Sequence, residues 1–456
     1  MSVRRFVSLV ITLAIAVSYA GCNRGDTASH TTASRSCGGR GWHSAGLVRD
    51  DPLGKVSIFN IATAVSDSGS AVVTWYETAL PLGSSNSEQL FASVCHAGSW
   101  TTPVPLGSAS TIQSILAARA DGTAMAAWAE LAADGSTSIR VSTLDPATAT
   151  WGSPTPIAPA EFHGTPSALA MGNDGTAMLV SIEDETVWAS RFNGSTWEVP
   201  LGINDGPPLS YAGIVGRPDG QAYMALWAEY RSSKSTIWAR RYAGGSWETA
   251  TMLAQYDVSM GLGRPGAPRG SLAMDAAGNA AAGWRHQDRY LYGATYRAAT
   301  NQWTEGRQLA DADGMVLTLD AEGRAIATWD SDVTNDAGVT TNQQLAWGDP
   351  TSGEWRITDT LESADLRAMS DGKGHTWAAW CTGSWETGDA TLWAANYDPT
   401  TGLTAKRTLW TASGIENYYG LSLAVSPSGR GQLAMVTYGI SPVFHYSLAA
   451  FTYDPI

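Results

Sequence analysis

The sequence predicts an all-β protein, an eight-bladed β-propeller of four-stranded antiparallel blades, on three observations. A glycine recurs eight times at spacings of 45 to 58 residues, as Gly69, Gly122, Gly175, Gly220, Gly278, Gly323, Gly374 and Gly429. In five of these units a tryptophan follows six residues later, as Trp75, Trp128, Trp284, Trp329 and Trp380. The composition is neutral and turn-rich, with 48 Gly and 20 Trp among 456 residues and only 15% charged, well below the roughly 25% of an average globular chain. A period of this size marks one supersecondary unit repeated until its neighbours bury a shared core.

Each repeat divides into four strands. The stretch before the glycine, such as SIFNIATAV or RGSLAM, carries small residues suited to a crowded centre and reads as the innermost strand. The glycine, with an adjacent Asp such as Asp67, Asp121, Asp174 or Asp219, turns the chain into the second strand. A second half follows, as in VWASRFNGSTW and IWARRYAGGSW, where a β-rich run leads through an Asn or Gly turn to a Trp. That is the signature of a hairpin. Its outer position is held by Trp42, Trp100, Trp151, Trp197, Trp247, Trp303, Trp355 and Leu403. In the fourth unit Trp227 comes seven residues after its glycine, which predicts a bulge. The last unit ends at HYSLAAFTYDPI without a fourth strand, while GRGWHSAGLV precedes the first complete unit. The N-terminal strand is therefore expected to complete the C-terminal blade and to close the ring, which removes exposed sheet edges.

Residues 1–21 read as an export signal: Arg4 and Arg5 precede an uncharged run from Phe6 to Ala20, too short to span a membrane comfortably. The ending Tyr19-Ala20-Gly21-Cys22 resembles a bacterial lipobox, with Tyr19 where an aliphatic residue is usual. The resemblance implies lipidation at Cys22, a membrane anchor through that lipid, and a location in the bacterial cell envelope, at the outer membrane or cell surface. Residues 22–40 are rich in Ser, Thr and Gly and read as a flexible tether, and residues 41–456 as the propeller. With Cys22 lipidated, Cys37, Cys95 and Cys381 remain. One disulfide and one buried thiol are expected, with the pairing open.

The pattern G-N/R/T-A-x-x-x-W followed by IWARRYAGGSWETATMLA resembles the repeats of secreted bacterial β-propeller proteins loosely grouped with sialidase-like repeat proteins, over residues 41 to 456. The resemblance implies an architecture rather than an activity. A sialidase would need clustered arginines, a Tyr nucleophile with its Glu, and an acid. Arg140, Arg191, Arg240, Arg241 and Arg297 are instead scattered, mostly on third strands, and no FRIP-like segment is present. Nor is there a G-x-S-x-G elbow, an H-E-x-x-H motif or a P-loop. The histidines are dispersed among the units, so each reads as packing or surface.

One polar feature is ordered. Glu77, Glu130 and Glu183 stand eight residues after their glycines, and Glu229 holds the same place in the fourth unit. Four successive blades thus carry a carboxylate at one edge of the disc. That edge also receives the connections Ala254–Gly270 and Ala412–Gly420, which bring Tyr256, Asp257, Glu416, Tyr418 and Tyr419. Loops on a rigid scaffold are where binding residues collect. A half-ring of carboxylates could hold Ca²⁺ or a cationic partner, but strand-end glutamates paired with third-strand arginines explain the pattern as simply. No organic cofactor is expected. Net charge is −14, which excludes nucleic-acid binding by counterion release. The reading is a non-catalytic, lipid-anchored propeller whose loop face binds a protein or glycan. The alternatives are a glycosidase-like enzyme using carboxylates at the propeller mouth, and an envelope protein with no discrete ligand.

Overall fold

A computed structural model describes Cys37 and residues 41–51, 55–79, 88–109, 114–131, 137–157, 164–206, 208–231, 233–257, 272–286, 290–335, 338–349, 352–362, 364–384, 389–412, 416–439 and 445–454. The export signal, Cys22 and most of the tether lie outside the described residues. The described chain folds into eight antiparallel sheets. Blade 1 has Val56–Val65 as its inner strand, then Ala71–Ala79, Glu88–His96 and an outer strand in two pieces, Ser99–Trp100 and Val104–Ala109. The same order repeats in blades 2 to 7, and the inner strands touch one another in sequence around the ring.

Blade 8 closes as the repeat count requires. Its inner, second and third strands are Glu416–Val425, Gly431–Gly439 and His445–Asp454, and its outer strand is the N-terminal Gly41–Asp51. Trp42 pairs with Tyr453, and Asp51 with Tyr446.

All eight repeat glycines have positive φ, from 73° to 110°, a region that L side chains avoid. That is why glycine recurs where the rest of the unit drifts. These turns also join neighbouring blades. Ser428 donates its N–H to Asp67 Oδ1 at 2.7 Å, Ser68 to the Ala120 carbonyl at 3.1 Å, Ala120 to Asn173 Oδ1 at 2.9 Å, and Asn173 to the Pro218 carbonyl at 2.6 Å.

The second-strand tryptophans Trp75, Trp128, Trp227, Trp284 and Trp329 are among the largest fully buried side chains. Trp75 packs on Ala434 and Val436 of blade 8, and Trp128 on Leu90 and Leu106 of blade 1, so each indole wedges against the preceding blade. A Cβ on Gly107 would approach the Trp128 ring to 2.9 Å, and glycine there leaves the indole room. Burying one indole contributes roughly 4–6 kcal/mol before entropy is counted.

The fourth unit's extra residue lies in its turn and not within the strand. Arg217 N–H bonds the Ala222 carbonyl, where Arg119 of blade 2 bonds Thr123, and Ala222–Arg231 then pairs with Lys234–Ala243 without a register break. The expected bulge is thus a lengthened turn that leaves Trp227 in its buried place.

Cys37 and Cys95 form a disulfide with Cα atoms 5.9 Å apart. Cys37, assigned to the tether by the sequence, is buried against blade 1 and donates its N–H to the Gly98 carbonyl. Cys381 is a buried free thiol.

Candidate functional site

Strand direction divides the disc into two edges. Turns from inner to second and from third to outer strands lie at one, the turn edge. Turns from second to third strands and the connections between blades lie at the other, the loop edge. Glu77, Glu130, Glu183 and Glu229 all close second strands, so all four reach the loop edge.

Two residues along a strand return to the same face, which places Glu77, Glu130 and Glu229 beside Trp75, Trp128 and Trp227, while Glu183 follows Ser181 instead. Trp75 Nε1 donates to Glu77 Oε1 at 2.9 Å, and Trp227 Nε1 to Glu229 Oε1 at 2.9 Å. Both carboxylates are buried, at 6% and 8% exposure. Glu77 also pairs with Arg49 at 2.7 Å, and Glu229 accepts the Asp205 N–H at 3.3 Å. Glu130 pairs with Arg140 on the third strand of its own blade at 2.7 Å. Glu183 is half-buried beside the tight turn at Asp184 and Glu185, both at positive φ. Among the described residues no group of three or more His, Cys, Asp or Glu side chains is arranged to hold a metal ion.

The other candidates sit on strands and not in free connections. Tyr256 and Asp257 end the outer strand Thr251–Asp257 of blade 4, because pairing with Lys234–Ala243 continues to Asp257. Glu416, Tyr418 and Tyr419 lie in the inner strand Glu416–Val425 of blade 8, with their side chains outside the described residues.

His286, which sequence reasoning passed over as one of several scattered histidines, occupies blade 5's equivalent of the glutamate position, eight residues after Gly278. Its ring stacks on Tyr256 at 3.9 Å between centroids, and Tyr292 closes the cluster at 5.3 Å from Tyr256. Trp284 Nε1 here donates to Tyr256 Oη at 2.9 Å, across the blade boundary. Burial pushes the Tyr256 phenol upward and the His286 imidazole downward. His286 Nδ1 is buried and has no hydrogen-bond partner among the described residues.

A larger concavity lies at the turn edge, between the outer hairpins of blades 4 and 5, with a volume of about 900 Å³. Both blades interrupt the outer strand here, blade 4 between Ser246–Trp247 and Thr251–Asp257 and blade 5 between Gln302–Trp303 and Arg307–Asp311. Arg241 and Glu248 form an ion pair at 2.6 Å on one wall. On the other, Tyr296 packs against Trp303 at 5.3 Å and donates its hydroxyl to Asn301 Oδ1 at 2.7 Å. Sequence reasoning missed this groove. A second cavity of about 560 Å³ lies near the disulfide, lined by Asp121, Arg430 and Asp454.

Compared with known protein families and with curated proteins, the chain matches none. Solved structures similar in fold include an ulvan lyase described as a new family of polysaccharide lyase, at 12% identity and TM-score 0.46, covering 88% of this chain and 95% of that one. Another is hydrazine synthase of Kuenenia stuttgartiensis, at 13% identity and TM-score 0.44, covering 71% and 91%. A third is a prolyl endopeptidase, at 14% identity and TM-score 0.44, covering 86% of this chain and 54% of that one. At these identities and TM-scores the likeness says nothing of what this chain does.

Proposed function

We propose that the protein is an exported, lipid-anchored propeller of the bacterial cell envelope that acts by binding and presents its loop edge to a protein or glycan partner. One observation carries the reading. The best candidates for acid–base chemistry, Glu77 and Glu229, are buried and committed to holding Trp75 and Trp227, and Glu77 also holds Arg49. Carboxylates so engaged build the scaffold, while exposed groups such as Asp257 at the same edge are open to a partner.

The test has two arms. In cells making the full chain, Cys22→Ser is expected to abolish fatty-acid labelling and to move the protein from the membrane to the soluble fraction. The purified propeller is then screened by thermal unfolding against a glycan panel and against Ca²⁺, since a ligand that prefers the folded state raises the melting temperature. A stabilising ligand whose effect is lost in Asp257→Lys supports a loop-edge site. Turnover of any polysaccharide that disappears in Glu130→Gln would overturn the reading in favour of an enzyme.

A further inference from the structure

The groove between blades 4 and 5 lies at the turn edge, away from the surface just proposed for partner binding, and its lining has a chemistry of its own. Met252 is half-exposed, at 52%, and with Trp303 supplies apolar surface. Arg241 and Glu248 keep 26% and 36% of their side chains in solvent, so a planar donor fork stands next to acceptor oxygens. Gln302 and Glu305 are exposed on the opposite wall. Vicinal hydroxyls both donate and accept, and a pyranose ring carries an apolar C–H face. A wall that alternates paired donors and acceptors with apolar and aromatic surface satisfies both. The volume of about 900 Å³ lies within the range of small-molecule sites.

Charge selects among sugars. Arg241 is neutralised by Glu248, and Glu305 has no ion-pair partner among the described residues, on a chain of net charge −14. A uronate or sulfated glycan would be repelled. We infer that this groove is a second binding site, for a neutral oligosaccharide laid between the interrupted outer strands of blades 4 and 5. Blades 1 and 2 interrupt their outer strands in the same way, and the lining is what sets this groove apart. Continuous outer strands, as in Trp355–Glu362 of blade 6 and Gly402–Ala412 of blade 7, carry their pairing through the same level.

The experiment is titration calorimetry on the whole propeller with the tetrasaccharides of N-acetylglucosamine, cellulose, amylose and xylan, and with tetragalacturonate as the acidic comparator. At least one neutral tetrasaccharide is expected to bind, with tetragalacturonate at least about tenfold weaker. The combined variant Met252→Ala, Gln302→Ala and Glu305→Gln is expected to weaken binding by about tenfold or more, the loss of one or two polar contacts with some apolar area. These residues are exposed, so the melting temperature is expected to stay unchanged. Glu198→Gln, at the Arg191–Glu198 pair of blade 3, is expected to bind as the parent does. The inference fails if no neutral tetrasaccharide binds, if the combined variant binds within twofold of the parent, or if tetragalacturonate binds as well as the neutral sugars. Loss in Asp257→Lys with retention in the groove variant would place the sugar at the loop edge and also overturn it.

Discussion

Arg49, on the N-terminal strand that completes blade 8, reaches Glu77 of blade 1 with Nε at 2.7 Å and Nη2 at 3.2 Å from the two carboxylate oxygens. The ring is closed by pairing within blade 8, and this ion pair fastens the closing strand to the blade that follows. Glu77 simultaneously accepts from Trp75. Replacing it with Ala leaves a buried indole N–H without its acceptor and a half-buried guanidinium with only the Asp50 carbonyl. Urea unfolding of Glu77→Ala is expected to show a loss of about 2–4 kcal/mol, and of Glu77→Gln, which keeps an acceptor for the indole, about half that. A loss under about 0.5 kcal/mol in the Ala variant would show the seam to be independent of this pair.

The same strand is secured at its other end by the disulfide. Cys37 precedes Gly41 and bonds Cys95 of blade 1 across 58 residues, so covalent and ionic fastenings hold opposite edges of one joint. A loop of that length predicts about 4 kcal/mol from chain entropy. Calorimetry of Cys37→Ser with Cys95→Ser is expected to show destabilisation of that order, with unfolding still a closed-ring transition. Equal melting temperatures with and without reductant, where mass spectrometry shows the bond reduced, would contradict it.

Indole N–H groups take different acceptors: Tyr256 serves Trp284 of a second strand, and Thr382 serves Trp393 of a third strand, each at 2.9 Å. Tyr256→Phe and Thr382→Val remove only the acceptor. Each is expected to lower unfolding free energy by about 1–2 kcal/mol, measured by denaturant titration at constant m-value. Neutral substitutions would mean that water satisfies the indoles.

His286 makes stability depend on pH. Burial lowers its imidazole below the ordinary value of 6.5, so the unfolded chain binds the proton more readily than the folded one. The contribution of the neutral ring is complete above the unfolded value and is lost as pH falls toward the folded one. Tyr256 and Tyr292 flank the ring and remain neutral in this range. The difference in unfolding free energy between the parent and His286→Gln is therefore expected to shift against the parent between about pH 7 and pH 5. Parallel acid profiles would refute this.

Cys381 is fully buried, and burial raises its thiol well above the ordinary range. A thiol-specific reagent is expected to leave it unmodified in the native protein and to label it fully in denaturant. Rapid native labelling would show that blade 7 opens locally.

The glycines were legible because every blade needs a positive φ at its turn, and the tryptophans because six of the eight blades place a large apolar body on the second strand. The strand-end glutamates were legible as a row but not as a function. Glu130 takes Arg140 of the third strand, the pairing the sequence reading allowed, whereas Glu77 takes Arg49 from 28 residues upstream, a partner no periodicity announces. His286 lost its significance in sequence because it is the one histidine in a row of carboxylates, and only its stacking on Tyr256 sets it apart.

Repetition alone therefore determined the eight blades, their four strands and the closure by the N-terminal segment, since backbone geometry and alternating burial act within a few residues of each other. Tertiary structure alone decided which cysteines join, that Arg49 of blade 8 meets Glu77 of blade 1, and that a groove opens between blades 4 and 5. Those outcomes depend on side chains from different blades meeting in space, and that meeting is set by how the sheets pack rather than by the order of residues within any one of them.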